Sequence, residues 1–543
     1  MTAFLIVLWL VGIMLRIWRL ARFFQIEGYD SRRYLRWLAG RIDRIVVVRA
    51  LVSVGVAGVA ALALELTGQE SAPLYLAIWG VAGVMAVWPE PVKEIKQKFK
   101  LTQRAIRLLI AAYGLAVAIH VSAVGLAGAL VGMGTLAEFA VYTLIGLVTY
   151  HLSPLILPLA NLIMHPVEAG FRWMFRRRAA ATLRRANPVV IGITGSYGKT
   201  STKEYLAHIL NGRFRAYATP KSYNTLMGVC IAINNDLSND SGYDYFIVEM
   251  GAYVPGEIAG ICDLVKPQIS IVTAVGPQHL ERFGSLENTA RAKYEIIEAL
   301  PPEGAAVFNW DDPYVRAMYE RGYPQNRIGV TWQNTDLATQ LRFHARDIRA
   351  TVDGLRFDVV DTLTGEEQPI TTRLVGQHNV TNILLAIATA RHLGMSLGEI
   401  ALRVASLEPA EHRLQRRVLP GGVTVIDDAY SANPVGAQNA LNVLSLYRAG
   451  RRVLITPGMV ELGPIQDEEN RKLGRLAAQV CTDIILVGED QTRPIQQGIR
   501  ETGFPADRLQ VYDTREEAIA WFNTALQPGD TVLFLNDLPD TYL

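Results

Sequence analysis

Cysteine is scarce: Cys230, Cys262 and Cys481 are the only three in 543 residues, far apart and with no metal-type spacing. They read as reduced packing residues, so a disulfide scaffold and a thiolate metal centre are both set aside. Net charge is also scarce, since 53 Lys and Arg against 51 Asp and Glu leave +2. That balance averages two unlike halves. Up to about residue 186 the chain is apolar and its charges are mostly Arg and Lys, whereas the rest has ordinary globular composition with many acids. A second nucleotide-binding motif is missing, which argues against an ATP-driven transporter. Length alone allows about three or four domains.

The apolar part holds runs near 3–15, 45–66, 72–89, 106–133 and 138–163, read as about five spans of a ~30 Å hydrocarbon layer. The first lacks a small-residue cleavage site and reads as a signal anchor. Connections rich in Arg and Lys (Arg19 to Arg44; Lys93, Lys96, Lys98, Lys100 and Arg104; Arg172 to Arg185) alternate with connections that have none. The alternation predicts a multi-pass plasma-membrane region over 1–165 with Met1 outside and all that follows it cytoplasmic. Residues 166–186 are expected as a basic linker facing anionic lipid of the bilayer rather than nucleic acid. His120 and His151 are expected to sit near a helix end or to hydrogen-bond a neighbouring helix rather than to act as intramembrane functional groups.

A β-branched run, Val189 to Thr194, enters the turn Gly195-Ser196-Tyr197-Gly198, and a helical pattern begins at Lys199-Thr200-Ser201. Glycines let backbone N–H groups converge on phosphate, the helix start adds its positive dipole end, Lys199 reaches a terminal phosphate and the Thr200 hydroxyl suits Mg²⁺. Five residues rather than four separate Gly192 from Gly198, so the strict spacing of such loops is missed while strand, turn and helix are present. Further on, short apolar runs (245–248, 269–272, 305–308) alternate with helical patterns, predicting an α/β domain with a mostly parallel sheet and ligands beyond the strand ends. Glu249, His279, Asn309, Asp311 and Asp312 follow those runs. Each alone reads equally well as a loop cap; together they make a constellation. From Arg413 a second α/β pattern appears, with strands expected near 423–426, 452–455, 483–487 and 531–535.

The series Gly-Ile-Thr-Gly-Ser-Tyr-Gly-Lys-Thr-Ser-Thr (192–202), Val-Glu-Met-Gly-Ala (248–252) with Pro-Gly-Glu-Ile (255–258), Gly-Pro-Gln-His-Leu-Glu-Arg-Phe-Gly (276–284) and Ala-Arg-Ala-Lys-Tyr-Glu-Ile (290–296) resembles the Mur ligases. So do Phe-Asn-Trp-Asp-Asp (308–312), Gly-Gln-His-Asn-Val-Thr-Asn (376–382), Glu-His-Arg-Leu-Gln (411–415), Asp-Asp-Ala-Tyr-Ser-Ala-Asn-Pro (427–434) and Met-Val-Glu-Leu-Gly (459–463). The resemblance covers roughly 187 to 535 and implies a central ATP-binding domain at 187–412 and a mobile Rossmann-like domain at 413–543. It implies ATP with two Mg²⁺ ions: Gly195, Gly198, Lys199, Thr200 and Ser201 around the phosphates, Thr200 and Glu249 on the first ion, His279 and a carbamylated Lys293 on the second. Asn309, His378, Asn379 and Asn382 would line the adenine and ribose site, Arg413 would face the phosphates, Asp428 would hold ribose and Tyr430 would border an acyl-phosphate. The activity implied is ligation of a carboxylate to an amino-acid or dipeptide amine, with D-Ala-D-Ala and a cell-wall precursor as the expected pair. A poly-γ-glutamate-type synthase, a ligase acting on a lipid-linked acceptor and a non-catalytic nucleotide-binding scaffold remain as alternatives. The apolar part stands where the family has a UDP-sugar-binding domain. Pro457-Gly458-Met459, Ser431 and Asn536-Asp537-Leu538-Pro539 depart from the family's Gly-Asp-Met, Asn and Lys-Gly-Ser in the domain that chooses the amine.

Overall fold

The computed structural model describes residues 2–41, 44–69, 71–88, 99–131, 137–220, 223–238, 242–333, 340–430 and 433–537. Ser431, Leu538, Pro539, Lys93, Lys96 and Lys98 lie outside the described residues. The chain forms two compact units, divided between Trp173 and Met174.

The first unit is helical: α1 (Thr2–Ile26), α2 (Ser31–Ala39), α3 (Val48–Leu66), α4 (Ala72–Val87), α5 (Gln103–Val131), α6 (Ala137–Leu152) and the start of α7 (Ile156–Ala186). Leu5, Trp9, Ile13 and Ile17, one helical turn apart, form the buried stripe of α1. The expected count of five spans is corrected. Among the described residues, four helices are long and apolar enough to cross a membrane by length and composition. The run at 72–89 yields only 16 residues of helix, about 24 Å at ~1.5 Å per residue and short of ~30 Å. It stops because Trp88, which precedes a proline, turns extended with ψ 132°. His120 Nδ1 meets Thr149 Oγ1 at 3.0 Å and His151 Nε2 accepts from Val47 N at 3.2 Å. Residues 166–186 are helical throughout, as the second half of α7.

The second unit holds two sheets. The first contains β1 (Val189–Thr194), β2 (Ala216–Ala218), β3 (Tyr245–Glu249), β4 (Ile269–Val272), β5 (Ala305–Asn309), β6 (Asn326–Thr331), β7 (Phe343–Thr351), β8 (Gly354–Asp361) and β9 (Glu366–Thr372). Its order is β2-β3-β1-β4-β5-β6-β7-β8-β9, parallel through β7 and antiparallel across β7, β8 and β9. β1 pairs with β3 on one side and β4 on the other. The connection order reverses across β1, and a crevice opens beyond the carboxyl ends of such strands. Helix α8 (Lys199–Leu210) leaves β1 through the glycine turn.

The second sheet contains β10 (Gln415–Val418), β11 (Thr424–Asp428), β12 (Arg452–Thr456), β13 (Asp483–Val487), β14 (Leu509–Tyr512) and β15 (Thr531–Leu535), in the order β10-β11-β15-β12-β13-β14. Only β10 runs antiparallel. One stretch of backbone, between the helix Leu397–Val404 and β10, joins the two sheets' domains. In it His412 and Leu414 take left-handed φ of 57° and 49° on either side of Arg413.

Candidate functional site

The turn after β1 is shaped by what approaches it. Gly195 has φ 150°, and a Cβ there would collide with Thr273 Oγ1 at the end of β4. Gly198 has φ 83°, and its Cβ would lie 2.5 Å from Asn382 Oδ1. Both positions therefore require glycine. The loop that results curls over a cavity of about 890 Å³, a size typical of sites for small ligands. Lys199 stands at its wall with Nζ donating to Gly195 O (2.7 Å) and Ser196 O (2.9 Å). Burial pushes its ammonium down to about 8, with Arg413 adding to the effect and Glu249 opposing it.

Gly198, Lys199, Thr200, Ser201, Glu249, His279, Lys293, Asn309, His378, Asn379, Asn382, Arg413 and Asp428 all line this one cavity. Gly195 forms the back of the loop. Tyr430 is apart: its side chain is 56% exposed and its carbonyl accepts from Arg413 Nη1 at 2.8 Å.

Three asparagines expected at the nucleotide are held by protein groups. Asn309 Nδ2 donates to Thr273 O (2.8 Å), tying β5 to β4. Asn379 donates to Val375 O and accepts from Tyr205 OH, and Asn382 Oδ1 accepts from Thr202. The last two fasten the helix His378–His392 to α8. His378 differs: its Nδ1 is buried without a hydrogen-bond partner on the cavity wall, and burial pushes the ring down to about 4, so it is neutral.

Lys293 sits in the helix Leu286–Glu298, 3% exposed, with Nζ 5.6 Å from the centre of the Phe283 ring. Burial first and the Lys199 charge second push it down to about 7, against the pull of Glu257 and Glu295. The folded chain thus holds this proton less firmly than the unfolded chain does. Stability contributed at Lys293 is therefore smallest below about pH 7 and grows as pH rises toward the unfolded pKa of about 10.4. In ligand-free thermal melts between pH 6 and 9, the difference between the unaltered chain and Lys293→Met should move in favour of the unaltered chain as pH rises. A difference that stays flat would contradict the buried placement.

His279 has a left-handed φ of 55° and its Nδ1 is in hydrogen-bond contact with the carboxylate of Glu461, from the loop after β12. Arg282 Nη2 reaches the other Glu461 oxygen at 3.3 Å, and the guanidinium carbon Cζ lies 4.3 Å from the centre of the Tyr253 ring. Sequence reading had given no role to Glu461 or to Lys203, whose Nζ lies 3.5 Å from Glu249 Oε2. The first lay inside a quoted motif, and the second follows Lys199 by one helical turn.

Residues 193–390 match the model of the Mur ligase middle domain, and residues 412–536 match that of the Mur ligase glutamate ligase domain. A UDP-N-acetylmuramoyl-tripeptide–D-alanyl-D-alanine ligase of Mycobacterium bovis is 34% identical over 384 residues, 65% of this chain and 71% of the relative. The chain belongs to the Mur ligase family. The ligase of the same name from Escherichia coli is 32% identical to this Mur ligase over 345 residues, 63% of the chain and 73% of the relative. Among solved structures, MurF of Acinetobacter baumannii superposes with a TM-score of 0.59 at 26% identity, covering 67% of this chain and 77% of that one. The comparisons also correct one expectation. The matched relatives are soluble cytoplasmic enzymes, and the four apolar helices of this Mur ligase qualify by length and composition alone. The multi-pass plasma-membrane location, its orientation and the bilayer as a partner are therefore withdrawn.

Proposed function

We propose that this chain activates the terminal carboxylate of a UDP-N-acetylmuramoyl-tripeptide with ATP and joins it to the amine of D-alanyl-D-alanine, releasing ADP and phosphate. The observation that carries the reading is the convergence of Lys199, Glu249, Lys293 and His378 on one cavity behind a phosphate-type loop, in a Mur ligase chain. A carboxylate oxygen attacks the γ-phosphorus as its bond to ADP breaks. The amine then attacks the acyl carbon, the C–N bond forms, the C–O bond to phosphate breaks and the amine sheds a proton. Lys199 and the start of α8 hold the phosphates and disperse charge on the transferring group. The neutral ring of His378 offers its unpartnered nitrogen to the nucleotide, while Arg413 and Asp428 bring the second domain's side chains to the same cavity and help exclude water.

The family uses Mg²⁺, and the residues present fit it. Glu249 is 2% exposed and its Oε2 accepts no hydrogen bond, and Thr200 adds a hydroxyl on the same cavity wall. Among the described residues no group of three or more His, Cys, Asp or Glu gathers, which suits an ion held by one or two protein oxygens and the phosphates. Thr200 and Glu249 would hold one ion. His279 and Lys293 would hold a second, after the neutral Lys293 amine adds CO₂ to give a carbamate and a proton. Bound magnesium would supply positive charge at the transferred phosphoryl group.

The test is phosphate release from ATP by the full chain with UDP-N-acetylmuramoyl-tripeptide and D-alanyl-D-alanine, each alone and both together. Release only with both is the expected result. ATP binding without release in any mixture would overturn the substrate assignment.

A further inference from the structure

A lysine is almost never fully buried unless it is paired. Lys203 is 0% exposed and is among the largest fully buried side chains of the chain. It lies one turn after Lys199 on α8, so the two ammonium groups leave the same helix face. Lys199 goes to the loop, and Lys203 reaches under the sheet's carboxyl edge. There its Nζ donates to Thr219 O at 2.7 Å and lies 3.5 Å from Glu249 Oε2 and 3.2 Å from Glu204 Oε1. Thr219, just past β2, also accepts from Glu249 N through its hydroxyl at 3.1 Å. On the other side Asn224 Nδ2 donates to Glu249 Oε1 at 3.2 Å. The Glu249 carboxylate is thus held from two directions, by the Asn224 amide and by the charged Lys203 ammonium.

We propose that Lys203 is a positioning residue: it pairs with Glu249 Oε2, offsets the buried charge and so fixes the carboxylate at the cavity wall for the cation that accompanies the nucleotide. This rests on the role proposed above for Glu249. Removing one member of a buried pair leaves the other uncompensated, and outer groups that orient a metal ligand typically change metal affinity by about 10–100-fold. A lysine that merely pinned α8 to the sheet would affect stability and leave cation dependence alone.

The experiment is binding of a non-hydrolysable ATP analogue to the full chain, titrated with Mg²⁺ and with neither ligation substrate present, for the unaltered chain, Lys203→Met, Glu249→Gln and the double variant. Lys203→Met should raise the Mg²⁺ concentration for half-maximal binding by about tenfold or more. Glu249→Gln should do the same, and the double variant should be no worse than the weaker single one, since both changes act through one carboxylate. The double variant should also melt higher than Lys203→Met, because an amide needs no cation beside it. An unchanged Mg²⁺ requirement in a folded Lys203→Met would overturn the inference. If that variant does not fold, Lys203→Gln, which keeps a donor for Thr219 O, gives the same reading. Collapse of both without rescue by Glu249→Gln would assign Lys203 to structure alone and overturn it equally. Absence of Mg²⁺-dependent binding in the unaltered chain would instead overturn the proposed function.

Discussion

Lys199→Met is expected to lower phosphate release by roughly 10²–10³-fold, the usual loss when one preorganised charge is removed from a transferring group. The loss should be confined to chemistry and nucleotide binding. In the ligand-free fold the ammonium bonds its own loop, at Gly195 O and Ser196 O, and burial already disfavours its charge. Taking it away therefore relieves a penalty, and the melting temperature of the variant at pH 7 should equal or exceed that of the unaltered chain. Paired measurements of phosphate release and thermal melting check both halves. Activity within threefold of the unaltered chain would mean that the loop after β1 does not carry the reacting phosphates.

Removing the amine at Lys293 should be nearly as costly. Lys293→Arg keeps a positive charge, yet its guanidinium stays protonated and cannot add CO₂. If the carbamate is the working form, both Lys293→Arg and Lys293→Met should lose about 10²-fold or more in phosphate release. Only the unaltered chain should lose activity in CO₂-depleted buffer and regain it on adding bicarbonate, and ¹³C-bicarbonate should give a carbamate carbon resonance that neither variant shows. Full activity of Lys293→Arg would leave the amine without a chemical role. The placement supports the first outcome: an amine pushed down to about 7 is substantially neutral at physiological pH, and an ordinary surface lysine is not.

These two lysines were not equally legible. Lys199 announced itself through local order, a β-branched strand, a glycine turn and a helix start, all of which the structure contains. Lys293, in Ala-Arg-Ala-Lys-Tyr-Glu, has the composition of any solvated helix face. Its burial comes from the packing of a whole helix against the sheet, which no local window encodes, and only the family resemblance singled it out. Lys203 was missed for the same reason. The contact of His279 with Glu461 spans 182 residues and depends on the second domain lying over the first. The asparagines carry a second duty that no local window shows: Asn309, Asn379 and Asn382 line the cavity, and their amides also tie strand ends and helices together. The antiparallel extension β7–β9 had a readable sign in Asp353-Gly354, a turn dipeptide between two strands. The apolar run at 72–89 was long enough on paper, but a proline after Trp88 shortened its helix.

The single backbone crossing near His412 has a consequence for product departure. Since no strand of either sheet is shared, the cavity can part along its seam without unravelling a β-ladder. The polar contacts to be undone include His279 and Arg282 with Glu461, and Arg416 with Val352 O and Asp353. Solvent-accessible ion pairs of this kind are worth about 0–1 kcal/mol each. Opening at that seam would let ADP and a bulky peptide product leave with each sheet intact.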